Sequence, residues 1–250
     1  MRNDKQIKAV LFDFDDTLID WSKSTLGWRE FLTPKYQNIH RYLCQTGHNP
    51  PDEEEFVTVF YHKVRQVWED ALQTWAGARL IDALWLGFEE MELDLERIDM
   101  DAVLRAYDWS PRPGVRPFDD THAVLDEIKA RGYQIGLITN SFQPMWFRDI
   151  ELREYGLLDY FDARITSGDT RFMKPHPAIY WRMLGLLDRL PEEAIFIGDR
   201  PQNDILGAQN VGMPNVLMKP PHVDHPLEGI EPDYTITRLT DLLPILDELD

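Results

Sequence analysis

Short apolar runs that break off abruptly into polar side chains constrain this chain most. Residues 7–14 read IKAVLFDF, 134–140 read QIGLITN and 194–199 read AIFIGD. Residues 215–219 repeat the pattern more weakly, and 163–167 supply a fifth run. A run that is apolar at every position, not at alternate ones, fits a strand buried on both faces, as in a parallel sheet. Helical patterns fall between the runs. Residues 119–131 open on acidic side chains, carry Leu125 and Ile128 on one face and stop at Gly132; Pro177–Leu187 begins at proline and spaces Ile179, Met183 and Leu186 helically; 205–210 ends before Gly212. That alternation predicts an α/β fold, a doubly wound parallel sheet with helices on both faces.

Residues 18–112 follow another rule. Strand signals are scarce, and Phe56, Phe60, Val64, Val67 and Ala71 recur at helical intervals, as do Ala83, Leu84, Leu86 and Met91 further on. The spacing predicts an all-helical insertion, broken at Pro34, Pro50 and Pro51, with 108–114 (DWSPRPG) as the return linker. The expected division is therefore 1–17 plus 113–250 for the α/β core and 18–112 for a helical cap. Residues 220–232, rich in proline and histidine, are expected to form a solvated loop carrying His222 and His225.

Charge and cysteine content exclude several classes. Acidic side chains number 44 against 26 basic ones, a formal charge of −18. That excess repels phosphate backbones and anionic lipid, so neither nucleic acid nor a membrane surface is expected as a partner. Cys44 is the sole cysteine, which leaves no intrachain disulfide and no cysteine-based metal cluster. No apolar run approaches the roughly 18 residues of a membrane span, and residues 1–6 (MRNDKQ) lack the apolar core of a secretory signal. The expectation is a cytoplasmic protein, monomer or homodimer.

The polar ends of the apolar runs carry the chemistry. Asp13 and Asp15, two residues apart in an extended segment, point the same way at a strand's carboxyl end. Paired carboxylates suit a nucleophile beside a general acid, with a hard divalent ion to offset their charge. Thr139 and Asn140 end the second run and offer a hydroxyl and a backbone N–H for a phosphoryl oxygen. Lys174, in 174–177 (KPHP), is a point charge able to neutralise both a phosphoryl group and Asp13. Asp199 and Asp204, in 198–204 (GDRPQND), offer oxygen ligands for Mg²⁺.

In this order the four motifs, DFDDT, the threonine of ITNS, the lysine of KPHP and GDRPQND, resemble the haloacid dehalogenase superfamily of hydrolases. The resemblance covers residues 7–17 and about 113–220. It implies that Asp13 is the nucleophile and becomes an aspartyl phosphate. It implies that Asp15 protonates the leaving alcohol, then activates water, and lends its backbone carbonyl to Mg²⁺. Thr139, the Asn140 N–H and Lys174 would hold the phosphoryl group, Asp199 would bind Mg²⁺ with Asp204 as direct or indirect partner, and Thr17 would hold Asp15. The metal ligands implied are thus Asp13, Asp15, Asp199 and Asp204. The activity implied is Mg²⁺-dependent hydrolysis of a small phosphorylated metabolite. A phosphomutase and a haloacid dehalogenase are alternatives within the superfamily, the latter disfavoured because its members lack an acid at the position of Asp15; a non-catalytic phospho-receiver or binding protein is the alternative outside it. Asp16 stands where many relatives have glycine. The cap is expected to set specificity. Its tryptophans (Trp21, Trp28, Trp68, Trp75, Trp85, Trp109) are assigned mostly to packing, with Trp21 and Trp28 as candidates to line the site. Arg29, Arg65 and Arg79 are expected to be solvated or ion-paired.

Overall fold

A computed structural model describes residues 6–249; residues 1–5, part of the stretch read for a secretory signal, lie outside them. In chain order the elements are β1 (Ala9–Phe12), β2 (Ile19–Asp20), α1 (Trp28–Gln45), α2 (Glu53–Thr74), α3 (Leu80–Glu90), α4 (Met100–Tyr107), β3 (Arg116–Pro117), α5 (Thr121–Ala130), β4 (Gln134–Thr139), α6 (Met145–Glu154), β5 (Ala163–Thr166), α7 (Pro177–Leu187), β6 (Ala194–Gly198), α8 (Leu206–Gln209), β7 (Asn215–Met218), β8 (Tyr234–Ile236) and α9 (Leu242–Leu249). Short 3₁₀ turns and one π-helical turn, Pro201–Ile205, fill some of the joints.

Six strands form one parallel sheet in the order β5-β4-β1-β6-β7-β8. Side chains alternate across it as strand geometry requires. Val10 and Phe12 of β1, with Ile195 and Ile197 of β6, enter one core with Val124, Leu125 and Ile128 of α5 and Leu242 and Leu246 of α9. Ala9 and Leu11, with Ala194 and Phe196, enter the other, against Ile179, Tyr180, Met183 and Leu184 of α7. Both faces are covered, so the strands read as unbroken apolar runs. The chain starts at β1 and lays strands to both sides of it, which makes the carboxyl end of β1 the switch point where open α/β sheets bind ligands.

Helices α1 to α4 build a separate core around Tyr36, Ile39, Phe56, Phe60, Leu84, Phe88 and Tyr107, all but fully buried. Asp52 caps α2 by accepting from the Glu55 N–H at 3.0 Å, with Glu53, Glu54 and Glu55 in the first turn, the favoured charge for that end. Pro34 does not break the insertion as expected; it sits inside α1. Lying in the second turn, it removes one hydrogen bond to an exposed part of the helix, a loss that the buried face of Phe31, Leu32, Tyr36, Ile39 and Leu43 outweighs. Leu86 is 40% exposed rather than packed. Two elements lack a sequence signal: the two-residue strands β2 and β3 pair antiparallel, Ile19 with Pro117 and Asp20 with Arg116, and tie together the segments flanking the insertion. Strand β8 is a third, a short edge strand. No helix among the described residues is long and apolar enough to cross a membrane.

Candidate active site

Asp13 follows β1 directly, and its N–H extends the ladder to the Ile197 carbonyl at 2.8 Å. The backbone leaves the strand there and turns at Asp16, whose φ of 55° is left-handed. Only glycine takes that conformation freely, with Asp and Asn the usual substitutes. The turn explains how an aspartate can stand at a glycine-favouring position, and its carboxylate accepts from the Trp21 N–H at 3.2 Å.

Lys174 is almost fully buried and makes two ion pairs, to Asp13 Oδ1 at 2.7 Å and Asp204 Oδ1 at 2.6 Å. Its backbone is clamped by the Asn140 side chain: the Lys174 N–H donates to Oδ1 at 2.8 Å, and the Asn140 amide donates to the Lys174 carbonyl at 2.9 Å. Asn140 thus fixes the lysine in addition to the role expected for its N–H. Asp204 lies in the π-helical turn after β6, and its Oδ2 accepts from the Arg200 N–H at 2.9 Å. Gly198 makes this approach feasible, since a Cβ there would stand 2.3 Å from Asp204 Cγ. Burial pushes the Asp13 carboxyl well above its usual range; Lys174 pulls it back, while Asp204, Asp199 and Asp15 add to the rise. Burial alone would lower Lys174, but Asp13 and Asp204 outweigh it and hold the ammonium charged.

Carboxylate oxygens of Asp13, Asp199 and Asp204 lie within 4.8 Å of one another, all three buried. Three carboxylates against the Lys174 ammonium and the nearby Arg200 guanidinium still leave the group net negative. Asp199 Oδ1 is buried with no hydrogen-bond partner, and burial with the neighbouring Asp204 raises its carboxyl although His225 pulls it down. An orphaned oxygen, a hard all-carboxylate donor set and that charge deficit fit a divalent cation such as Mg²⁺. With both Asp204 oxygens already engaged, Asp13 and Asp199 are the better direct ligands. The Asp15 side chain stands outside this group.

Asp15 is held on both oxygens: Oδ1 accepts from the Trp21 indole N–H at 2.9 Å and Oδ2 from Arg148 at 2.8 Å. Thr17, expected to hold it, is fully buried and its hydroxyl has no hydrogen-bond partner. The left-handed turn at Asp16 separates the two, so the anchor comes from across the fold. Arg148 on α6 also pairs with Glu151 at 2.8 Å, and Glu151 accepts from the Trp109 indole at 3.0 Å. Burial pushes the Glu151 carboxyl up to about 7, despite the opposing pull of Arg148. Sequence patterning misses Arg148 and Glu151, because charged residues on the inward face of α6 disguise its helical period; the one signal available is their spacing of three. Thr139, at the end of β4, is fully buried with its Oγ1 unpartnered, which leaves a hydroxyl free for a ligand.

The histidines also depart from expectation. Residues 220–232 are a loop, but it folds back: His225 Nε2 lies 3.2 Å from Asp199 Oδ2, and His222 Nε2 lies 2.8 Å from Asp16 Oδ1. A cavity of about 520 Å³ opens over Asp13, Asp15, Asn140, Lys174 and Asp204, and Trp21, Trp28 and Trp68 line it from the helical side. Of the cap arginines, Arg65 lines it too but pairs with Glu69 at 2.7 Å, while Arg79 pairs with Asp82 and Arg29 lies over the Tyr61 ring.

Residues 7–212 match the family model for haloacid dehalogenase-like hydrolases. The chain belongs to this family. It is 33% identical over 137 residues to the pyrophosphatase PpaX of Bacillus mycoides (strain KBAB4), a match covering 54% of this chain and 62% of that relative, less than two thirds of its length. Among solved structures it is similar to a HAD phosphatase from Thermococcus onnurineus, with 26% identity, a TM-score of 0.60 and coverage of 96% and 98% of the two chains. It shares its fold with the 2-haloacid dehalogenase of Pseudomonas syringae pv. Tomato DC3000, with 22% identity, a TM-score of 0.65 and coverage of 98% and 100%. The hydrolase core with its parallel sheet is therefore a family property, and the site described above occupies the switch point of that sheet.

Proposed function

We propose that this hydrolase is a Mg²⁺-dependent phosphatase that cleaves a phosphate monoester of a small metabolite through an aspartyl phosphate on Asp13. The observation that carries the reading is the pairing of Asp13, charge-locked to Lys174, with Asp15, held beside the same cavity by Trp21 and Arg148. Ester cleavage by displacement needs both: a nucleophile at phosphorus and a proton for the departing oxygen. Asp13 attacks phosphorus, the bond to the ester oxygen breaks, and Asp15 gives that oxygen its proton. Asp15, now ionised, then takes a proton from water as the water oxygen attacks phosphorus. Phosphate leaves, and the Asp13 carboxylate is restored with Asp15 again protonated.

Lys174 offsets charge on Asp13 and on the phosphoryl oxygens, and the free hydroxyl of Thr139 is placed to donate to one of them. Asp13 and Asp199 would hold Mg²⁺, with Asp204 as indirect partner; when bound, the ion supplies the positive charge that lets a carboxylate approach a phosphate dianion. The proposed division of labour follows the fold, with the core, 1–17 and 113–250, carrying the chemistry and the insertion, 18–112, covering it. A small-molecule substrate in the cytoplasm belongs to this reading, and the net charge of −18 disfavours nucleic acid or anionic lipid instead. The test is turnover of phenyl phosphate with and without Mg²⁺ and chelator. Mg²⁺-dependent release of phosphate that Asp13→Asn abolishes supports the reading; release indifferent to either change refutes it.

A further inference from the structure

The cavity over Asp13 has two unlike walls. On the core side Lys174 is engaged with Asp13 and Asp204 and Arg148 with Asp15 and Glu151, while the Arg200 guanidinium also lines the cavity, its charge felt mainly by Asp199 and Asp13. On the helical side the lining is Trp21, Trp28, Tyr61, Val64 and Trp68, closed by Phe142 from the loop after β4, whose ring meets Trp68 at 6.5 Å. The cation on this wall, Arg65, is turned to Glu69. A leaving group that is itself an anion, such as a second phosphate, would thus meet aromatic rings on this side.

Several large apolar side chains stay exposed on this chain, Trp181 and Leu186 among them, and two of them face the cavity. Trp28 keeps 46% of its surface exposed and Leu72 43%, both on the cavity. Trp28 is held in this state by its surroundings: the buried Arg112 guanidinium lies 4.5 Å from its ring centroid, and the Trp21 ring lies 5.7 Å away. Trp21 in turn donates to Asp15, the proposed proton donor to the leaving oxygen. Asp15, Trp21 and Trp28 therefore form a continuous path from the point of bond cleavage to the exposed aromatic wall. Whatever is attached to that oxygen runs along flat rings, in a space of about 520 Å³, the size of a small-ligand site.

Resting on the phosphatase reading, we propose that the substrate is a phosphate ester whose alcohol carries a flat aromatic ring, lodged against Trp28, Tyr61 and Trp68. The aromatic wall is a specificity device, and Trp28 is its most accessible member.

The test compares esters whose alcohols are of similar acidity, so that intrinsic reactivity does not decide the result. Phenethyl phosphate, its saturated analogue cyclohexylethyl phosphate and ethyl phosphate are assayed for kcat/KM with Mg²⁺. Phenethyl phosphate is expected to exceed ethyl phosphate by about tenfold or more, the effect of burying one ring, and to exceed the saturated analogue. Trp28→Ala should lower the phenethyl-to-ethyl ratio by about threefold or more, the effect of losing one stacking partner. Binding of phenethylphosphonate, read by quenching of tryptophan fluorescence, provides a measure independent of turnover and should weaken in Trp28→Ala. A ratio near one, or a saturated analogue equal to phenethyl phosphate, overturns the proposal and leaves the phosphatase reading intact. If no ester is hydrolysed but the phosphonate binds and Trp28→Ala weakens it, the phosphatase reading falls and the aromatic wall stands; if the phosphonate does not bind either, both fall.

Discussion

On the floor of the cavity, charged side chains are tied to one another: Lys174 bridges Asp13 and Asp204, and Arg148 bridges Asp15 and Glu151. On its roof, Trp28 and Leu72 leave close to half of their surface uncovered and make no ion pairs. The floor holds buried charges, which persist only when paired, so its geometry is over-determined. The roof makes little demand on its neighbours and can vary without unfolding the chain. On the proposed function, chemistry sits on the rigid half and selectivity on the permissive half, the arrangement expected when one fold serves many substrates.

Substitutions on the two halves should therefore differ in kind. The largest effect belongs to Asp13→Asn, which removes the proposed nucleophile and should lower kcat by about three orders of magnitude or more, read by phosphate release at saturating ester; residual activity within tenfold would break the distinction at its centre. Next is Lys174→Met. It should cost about two to three orders in kcat and about 3–5 kcal/mol of stability, because two buried carboxylates, Asp13 and Asp204, lose their ammonium, read by urea unfolding. Arg148→Met should lower kcat by about tenfold or more with a smaller change in KM, since Asp15 loses an anchor but the roof is untouched. A rise in KM alone would assign Arg148 to substrate binding instead.

Glu151 sharpens the comparison through pH. Its folded value of about 7 lies above the usual 4.5, so the folded chain holds a proton that the unfolded chain releases between those values. The stability this contributes is full below about 4.5 and lost as pH rises through about 7, an effect on the order of 3 kcal/mol. Glu151→Gln should flatten that part of the stability–pH curve in thermal melts, and an unchanged slope would assign it to other groups. The smallest effect belongs to the roof: Trp28→Ala, at a position 46% exposed, should cost under about 1 kcal/mol, whereas Phe60→Ala, fully buried in the helical core, should cost about 3–5 kcal/mol. Equal losses would contradict the view of the roof as permissive.

The same contrast decides what could be read from the sequence. The part of the floor at strand ends is legible, since an apolar run stopping at Asp13, Thr139 or Asp199 marks both the strand and the candidate site; Arg148 and Glu151, on α6, are not. The helical insertion was legible as a class from the period of Phe56, Phe60 and Val64. What escaped depends on contacts between distant segments. Arg148 reaches Asp15 across 133 positions, and His222 reaches Asp16 across 206. The pairing of Ile19 with Pro117 is likewise non-local and too short to leave a pattern. The role of Thr17 rests on the family resemblance alone, and its buried hydroxyl has no hydrogen-bond partner, whereas Asp15 is held by Trp21 and Arg148.

The central claim is that Asp13 becomes covalently phosphorylated. Borohydride quenching during Mg²⁺-dependent turnover of phenyl phosphate, followed by peptide mass spectrometry, tests it directly, because hydride reduces an acyl phosphate to the alcohol. The account predicts homoserine at position 13, only when substrate and Mg²⁺ are both present. Sustained turnover with an unmodified Asp13, or with the label on another carboxylate, would contradict it.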